Sequence, residues 1–195
     1  MSRRASAAAQ TRQRIIDATR ALHTEQGIAA TSWDQIAARA GVGVGTVYRH
    51  FPTLDELVPA CGADAAKVIA LPDPEEAPAL FEGAGDRVER LVQIVFAIYE
   101  RGAPELHVIR NEPGAHPSVA QGKEDLEAAL AALVEAAGIP ARDRAVVRAM
   151  IDLGTWQALR DQGLGPEQAV DAVSGMLAHG ARGAPRSARP PRLRR

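Results

Sequence analysis

The chain has 195 residues, of which 46% are hydrophobic, 24% charged and 4% aromatic, enough for a packed core of Ala, Val, Leu and Ile in one large domain or two small ones sharing helices. A single cysteine, Cys61, excludes an intramolecular disulfide and a cysteine metal cluster, and no apolar run approaches the ~20 residues that cross a bilayer. The net charge of −1 hides a division: residues 1–58 carry seven Arg against five acids, residues 59–138 six Lys/Arg against fourteen acids, and the last fifteen residues six Arg and no acid. Basic ends suit a polyanion, and an acidic body stays off it. The opening MSRRASAAAQ lacks the apolar stretch of a secretory signal, so a cytoplasmic protein is expected.

Residues 1–9 are small and basic and read as a loose arm. A first helix is expected from Thr11 to Gln26, with Ile15, Ala18, Thr19 and Leu22 on one apolar stripe and Gly27 as its left-handed cap. A second helix begins at Ser32, which with Gln35 has the spacing of a capping box. Ile36, Ala37 and Ala40 form its inner face, Gly41 ends it, and Val42 follows as a buried peg. A short third helix runs from Val44 to Phe51 with Gly43 as N-cap. Val47 and Phe51 point inward; Thr46, Tyr48, Arg49 and His50 point outward. Pro52 closes it. Thr53 and Glu56 are spaced as a second capping box opening a fourth helix to about Ala70, with a kink expected at Pro59.

LPDPEEAPA, from Leu71, reads as an acidic proline-rich linker. A fifth helix, about Asp86 to Arg101, has apolar residues on several faces and should be central. Ala103 to Asn111 suggests a short sixth helix, and Val119 to Ala137 a seventh, capped by Gly138. An eighth is expected from Ala141 to Gln162 and a ninth from Pro166 to about Ala181. GAPRSARPPRLRR closes the chain as a disordered tail over 182–195. No strand pattern and no repeat is found, so the fold class is all-α with about nine helices. The organisation expected is an arm (1–9), a helix-turn-helix domain (10–57, with the two-helix unit about 32–51) and a helical body (58–181).

TRQRIIDATRALHTEQG (11–27) and TSWDQIAARAGVGVGTVYRHFPTLDELV (31–58) resemble the TetR family of bacterial transcription regulators. The succession of Gly27, a Thr-Ser cap, IAARAGV, GTVYRHF and a Pro-Thr cap carries the resemblance over roughly 50 residues; the rest matches only in helical layout. It implies a DNA-binding regulator, acting as a homodimer on a near-palindromic operator, usually a repressor released by a small-molecule effector bound in the C-terminal domain. By that pattern Thr31, Ser32, Tyr48, His50 and Thr53 meet phosphate, where a helix N-terminus already favours an anion. Val44, Gly45, Thr46, Tyr48 and Arg49 read bases; Thr46 suits a base edge or thymine methyl and Arg49 a guanine. Trp33 reads as a packing residue.

Three positions depart from the family. Leu54 stands where many members carry a phosphate-binding lysine, and Val44 and Gly45 are small and apolar where polar groups are common. Fewer ion contacts and a shallower salt dependence follow. Within the body, Cys61, Phe96, Tyr99, His107, Arg110, Met150 and Trp156 are the pocket candidates. Val147, Ile151, Gly154, Ala158, Val173 and Leu177 are candidates for half of an intersubunit four-helix bundle. Two other functions remain: a DNA-binding regulator without an effector, or a small helical enzyme using His107, His116 and Glu105 or Glu112. Against the enzyme, no Glu-x-x-His pair, no phosphate loop and no base beside Cys61 occurs, and neither a metal nor a cofactor is expected.

Overall fold

The computed structural model describes residues 3–183, with side chains from residue 5 to residue 179; the expected tail lies, from residue 184 on, outside the described residues. Among these the secondary structure is helical, without strands. In chain order it comprises α1 (Arg3–Gln26), α2 (Trp33–Ala40), α3 (Val44–His50), α4 (Leu54–Ile69), a 3-10 turn (Ala77–Phe81), α5 (Arg87–Asn111), α6 (Pro117–Ala136), α7 (Arg144–Met150), α8 (Leu153–Asp161) and α9 (Pro166–Gly183).

Helix α1 starts at Arg3, so from that residue the expected arm is helix. RRASAAAQ offers alanines of high helix propensity and no breaker. Further along, Ile15, Ile16, Ala18, Thr19, Leu22 and His23 are buried, which follows the expected stripe. Thr19 donates its hydroxyl to the Ile15 carbonyl (2.7 Å), the usual way a buried hydroxyl is satisfied on a helix. Gly27 ends α1 at φ +88°.

The side chains form two separate apolar clusters. The first joins Ile15, Ile16, Ala18 and Leu22 of α1 to Ile36, Ala37 and Ala40 of α2, Val47 of α3, Phe51, and Leu57 and Cys61 of α4. The second gathers around α5, whose Leu91, Val92, Val95, Phe96, Ile98, Tyr99 and Leu106 are all buried. Helix α4 belongs to both, because Ala65 and Ile69 lie in the second cluster.

Two breaks differ in kind from those expected. Helix α4 runs on through Pro59 as one helix. The backbone departs instead at Gly102 of α5 (φ −130°, ψ 17°), two residues before Pro104. Pro104 cannot donate to the Glu100 carbonyl and its ring crowds it, so the helix opens one turn earlier, and the expected fifth and sixth helices become one bent element. The break also admits a close crossing: a Cβ on Gly102 would lie 2.7 Å from Ile69 Cγ1 and 3.2 Å from Ile69 Cα. Likewise the expected eighth helix is two, α7 and α8. Asp152 caps α8, accepting from the Gly154 N–H (2.7 Å), and Tyr99 donates its hydroxyl to the Ile151 carbonyl at the junction (2.9 Å). A good N-cap inside a helical pattern wins over continuity when a neighbour also satisfies the freed carbonyl.

Replacing Gly102 by Ala should therefore destabilise the protein by roughly 1–3 kcal/mol, the usual range for overpacking a close contact. Urea unfolding checks this; an unchanged midpoint would show that Ile69 yields freely.

Candidate nucleic-acid interface and the cavity behind it

Helices α2 and α3 are fixed locally by their caps. The Ser32 hydroxyl accepts from the Gln35 N–H (3.3 Å), while the Gln35 side chain accepts from the Ser32 N–H (2.8 Å). Gly41, at φ +65°, turns the chain, and Val42 donates back to the Ala37 carbonyl (3.0 Å). The turn needs a residue that tolerates the left-handed region, which glycine does without a steric penalty. Gly43 begins α3 with no side-chain cap, so its first N–H groups are left for solvent or an anion.

Val47 and Phe51 anchor α3 in the first core, each 1% exposed or less, and the Arg12 guanidinium lies 4.6 Å over the Phe51 ring. The opposite side is open. Tyr48 is 45% exposed and its ring stacks on Trp33 of α2 at 4.8 Å and 32°. Arg49 is exposed, with Nη2 3.4 Å from the Thr46 hydroxyl. Thr46 and His50 are half-buried, and Val44 and Gly45 are exposed. Thr31, half-buried, spends its hydroxyl proton on the Gly27 carbonyl (2.8 Å). Thr53 is exposed and starts α4 without a side-chain cap bond, so the expected second capping box does not form and its hydroxyl stays available.

Three polar ties join this unit to the helices behind it. Arg20 of α1 bonds Asp64 of α4 (2.6 Å) and Glu105 of α5. Burial opposes its charge, but the hydrogen bonds to Glu105 and Asp64 outweigh that and raise its pKa. Glu112, just past α5, accepts from the N–H groups of Ile28 and Ala29 (3.0 and 3.2 Å) in the turn after α1. Its carboxylate sits where a Cβ on Gly27 would be, so Gly27 serves both the turn and this approach. His116, the N-cap of α6, accepts from the Ser118 N–H through Nδ1 (3.1 Å) and so carries its proton on Nε2, which donates to Asp55 of α4 (3.0 Å).

Between α1, α4, α5 and α6 lies a cavity of about 820 Å³. Its wall on α4 includes Cys61, Gly62, Ala65 and Ala66, and on α6 Gly122, Ala128 and Ala129; α1 contributes Arg20, His23 and Thr24. Small residues on facing helices leave the volume open, and its size falls in the range that holds a small organic molecule. His23 is buried, and burial lowers its pKa to about 4 against a smaller opposite pull from Glu112. Burial likewise pushes the Cys61 thiol up to about 12, so it is no nucleophile at neutral pH.

Residues 15–61 match the model of the family described as bacterial regulatory proteins, tetR family. The chain carries a TetR-family DNA-binding domain. It is 41% identical over 63 residues to the transcriptional repressor KstR of Mycobacterium tuberculosis, which is 32% of this chain and 29% of that protein. It is 50% identical over 52 residues to the transcriptional regulator SrpR of Pseudomonas putida, 26% of this chain and 24% of that one. The match thus spans less than a third of either relative. A TetR-like regulator from Rhodococcus sp. RHA1 shares the fold over 89% of this chain and 96% of its own, with a TM-score of 0.64 and 20% identity.

The TetR domain gathers all nine sequence-expected DNA residues on α2, α3 and the start of α4. The Tyr48 ring rests on Trp33. The pocket candidates are scattered. Only Cys61 lines the cavity. Phe96, Tyr99 and Trp156 are core residues, Phe96 also edging a separate groove beside α9, and Met150 packs against that core. His107 faces Gln157 (3.4 Å) and Arg110 pairs with Asp152 (2.8 Å). Of the seam candidates, Val147 and Ile151, at the break in the expected eighth helix, and Val173 of α9 are buried in their own chain's core. Leu177 is partly buried against that core; Gly154 and Ala158 are exposed, as is Met176 beside them on α9. The sequence does not mark Arg20 and His23 as site residues, and it offers Glu105 and Glu112 only for the enzyme alternative: the partners of Arg20, Glu105 and Glu112 lie far away in the chain, where no local spacing reports them.

His23 gives a pH signature. Its folded pKa is below the unfolded value, so the unfolded chain takes up the proton first, and stability falls as pH drops from about 6.5 towards 4. The loss attributable to this group is on the order of 2–3 kcal/mol. Melting temperatures across that window should fall less for His23→Gln than for the parent; parallel curves would assign the loss to other groups.

Proposed function

We propose that this protein is a transcription repressor that binds a near-palindromic operator as a homodimer and leaves it when a small molecule fills the cavity behind the TetR domain. The observation that carries the DNA part is the division of α3: Val47 and Phe51 hold it in the core while Tyr48, Arg49 and the α3 N-terminus stay open. A helix held this way suits a major groove. Arg49 and Thr46 are the base readers, and the hydroxyls of Tyr48 and Thr53 with His50 reach phosphate. Thr31 and Ser32 contribute the N-terminal end of α2, their side chains being engaged in capping.

Two half-sites one helical turn apart need their α3 helices about 34–36 Å apart. Dimerisation through the exposed faces of α8 and α9, centred on Gly154, Ala158, Met176 and Leu177, sets that spacing. The cavity favours an effector over a regulator without one. An occupant touches α1 on one side and α5 and α6 on the other, and it shifts the equilibrium only insofar as it binds the misspaced state better.

A DNA selection with the purified protein, followed by anisotropy titrations at two salt concentrations, tests the reading. Arg49→Ala should cost about 1–3 kcal/mol and relax preference at one base position, and Tyr48→Phe should cost about 1 kcal/mol across sequences. The slope of log K against log [salt] should be shallower than about −8 for the dimer. No selected sequence, or variants that bind as the parent does, would overturn the reading. Sedimentation should show a dimer; a concentration-independent monomer would remove the palindromic operator.

A further inference from the structure

The Tyr48 side chain has little of the core to hold it. Its neighbour Val47 is fully buried, which fixes the backbone of α3 there, but Tyr48 itself is 45% exposed. Among the described residues its hydroxyl makes no hydrogen bond. A tyrosine on a helix has two common settings of its first side-chain torsion, and no hydrogen bond selects between them here. Trp33 does so instead. The two rings lie 4.8 Å apart at 32°, within the range of a favourable aromatic pair.

Trp33 is in turn held from two directions. It is the first residue of α2, directly after Ser32, whose capping box with Gln35 fixes the start of that helix. It stands three and four residues before Ile36 and Ala37, so it continues the inner stripe of α2, and it is partly buried against the first core. Restraint therefore passes from the core to Trp33 and from Trp33 to Tyr48. The magnitudes agree with such a role. A pair of this kind weights its stacked geometry by roughly two- to tenfold, and one neutral hydroxyl contributes about fivefold to binding. Ordering a free phenol ring would offset most of that gain; a ring already stacked retains it.

We propose that Trp33 is a positioning residue for DNA binding: its indole holds the Tyr48 ring in the one orientation that presents the phenol hydroxyl to a backbone phosphate. This rests on the reading of Tyr48 as a phosphate contact. Trp33 acts through Tyr48 and touches no base. The affinity it supports is therefore the same for every sequence, since phosphate contacts set register and not preference. Arg49 stands outside the pair, with its guanidinium beside the Thr46 hydroxyl.

A double-mutant cycle tests this, read by anisotropy titration of the full chain on an operator obtained by selection. Tyr48→Phe should weaken binding about fivefold in the parent but less than about twofold in a Trp33→Leu background. Trp33→Leu alone should weaken binding about fivefold, equally on the operator and on its single-base variants. Trp33→Phe keeps a ring to stack on and should restore the Tyr48→Phe penalty. Arg49→Ala is the control, and its penalty should be the same in the parent and in Trp33→Leu. Thermal melts confirm that each variant is folded, and Trp33→Met provides a second background without a ring. An equal Tyr48→Phe penalty in both backgrounds, or an Arg49→Ala penalty that disappears with it, would make Trp33 a packing residue alone and overturn the inference. If Tyr48→Phe costs nothing in the parent, the phosphate contact at Tyr48 fails and this inference with it, while the Arg49→Ala loss still reports on the operator reading.

Discussion

The placement of the DNA-binding unit depends on one guanidinium. Arg20 reaches from α1 to Asp64 on α4 and Glu105 on α5, meeting three helices and both sides of the boundary between the two cores. Pairs this far from water are poor sources of net stability, since desolvation offsets most of the Coulomb gain. They are strict about geometry, however, and removing one partner leaves the other charge uncompensated. That is a suitable property for a joint. Apolar packing between the two cores would hold α1 to α5 in many similar orientations and would resist release. Directional polar ties hold one orientation and can be broken by a competitor. Glu112 on the Ile28–Ala29 turn and His116 on Asp55 extend the same logic, each linking the TetR domain to a different helix end.

Helix α4 makes this joint work because its two halves have different loyalties. Its first half, through Leu57 and Cys61, packs with α1, α2 and α3, and its last turn, through Ile69, packs into the bend of α5 at Gly102. Between the two lie Gly62, Ala65 and Ala66, facing small residues of α6 across the cavity. Close contact at one end and small side chains in the middle account for an open volume inside an otherwise packed body. The cavity therefore follows from where glycine and alanine fall on two facing helices, and its position beside α1 follows from α4 serving both cores.

Local features were legible in the sequence; long-range ones were not. The capping box at Ser32, the left-handed turn at Gly41, the inward pair Val47 and Phe51, and the all-α class depend on spacings of one to four residues, which periodicity and cap chemistry report directly. The Thr53–Glu56 spacing shows the limit of such reasoning, since the same motif occurs without the bond. Pro59 drew attention as a breaker, yet the backbone yields at Gly102, where Pro104 and the crossing with Ile69 act together. Of the pocket candidates, Phe96, Tyr99 and Trp156 belong to the second core and Met150 packs against it. The cavity owes its room instead to alanines and glycines on α4 and α6, which no single-residue chemistry singles out. Arg20, Glu105 and Glu112 gain their roles from partners up to 85 positions away, a separation at which a lone sequence carries no pairing signal.

The surface offered to DNA follows from the same economy of charge. Val44, Tyr48 and Leu54 are among the few large apolar side chains left exposed among the described residues, and Val44 and Leu54 are two of the positions at which the sequence departs from the family pattern. Each phosphate-binding cation contributes affinity by releasing counterions, a gain that is blind to sequence and falls with salt. An apolar contact with a thymine methyl, or a tyrosine braced by Trp33 against the backbone, contributes less but keeps its value as salt rises, and the methyl contact discriminates between bases. The body behind carries a large excess of acid over residues 59–138, which opposes any approach to DNA not led by α3. Under the proposed function, there is then little non-specific attraction to overcome when the protein leaves its operator. A weakly charged reader and a joint held by a few polar ties therefore suit one another: the first lowers the free energy that the second has to release.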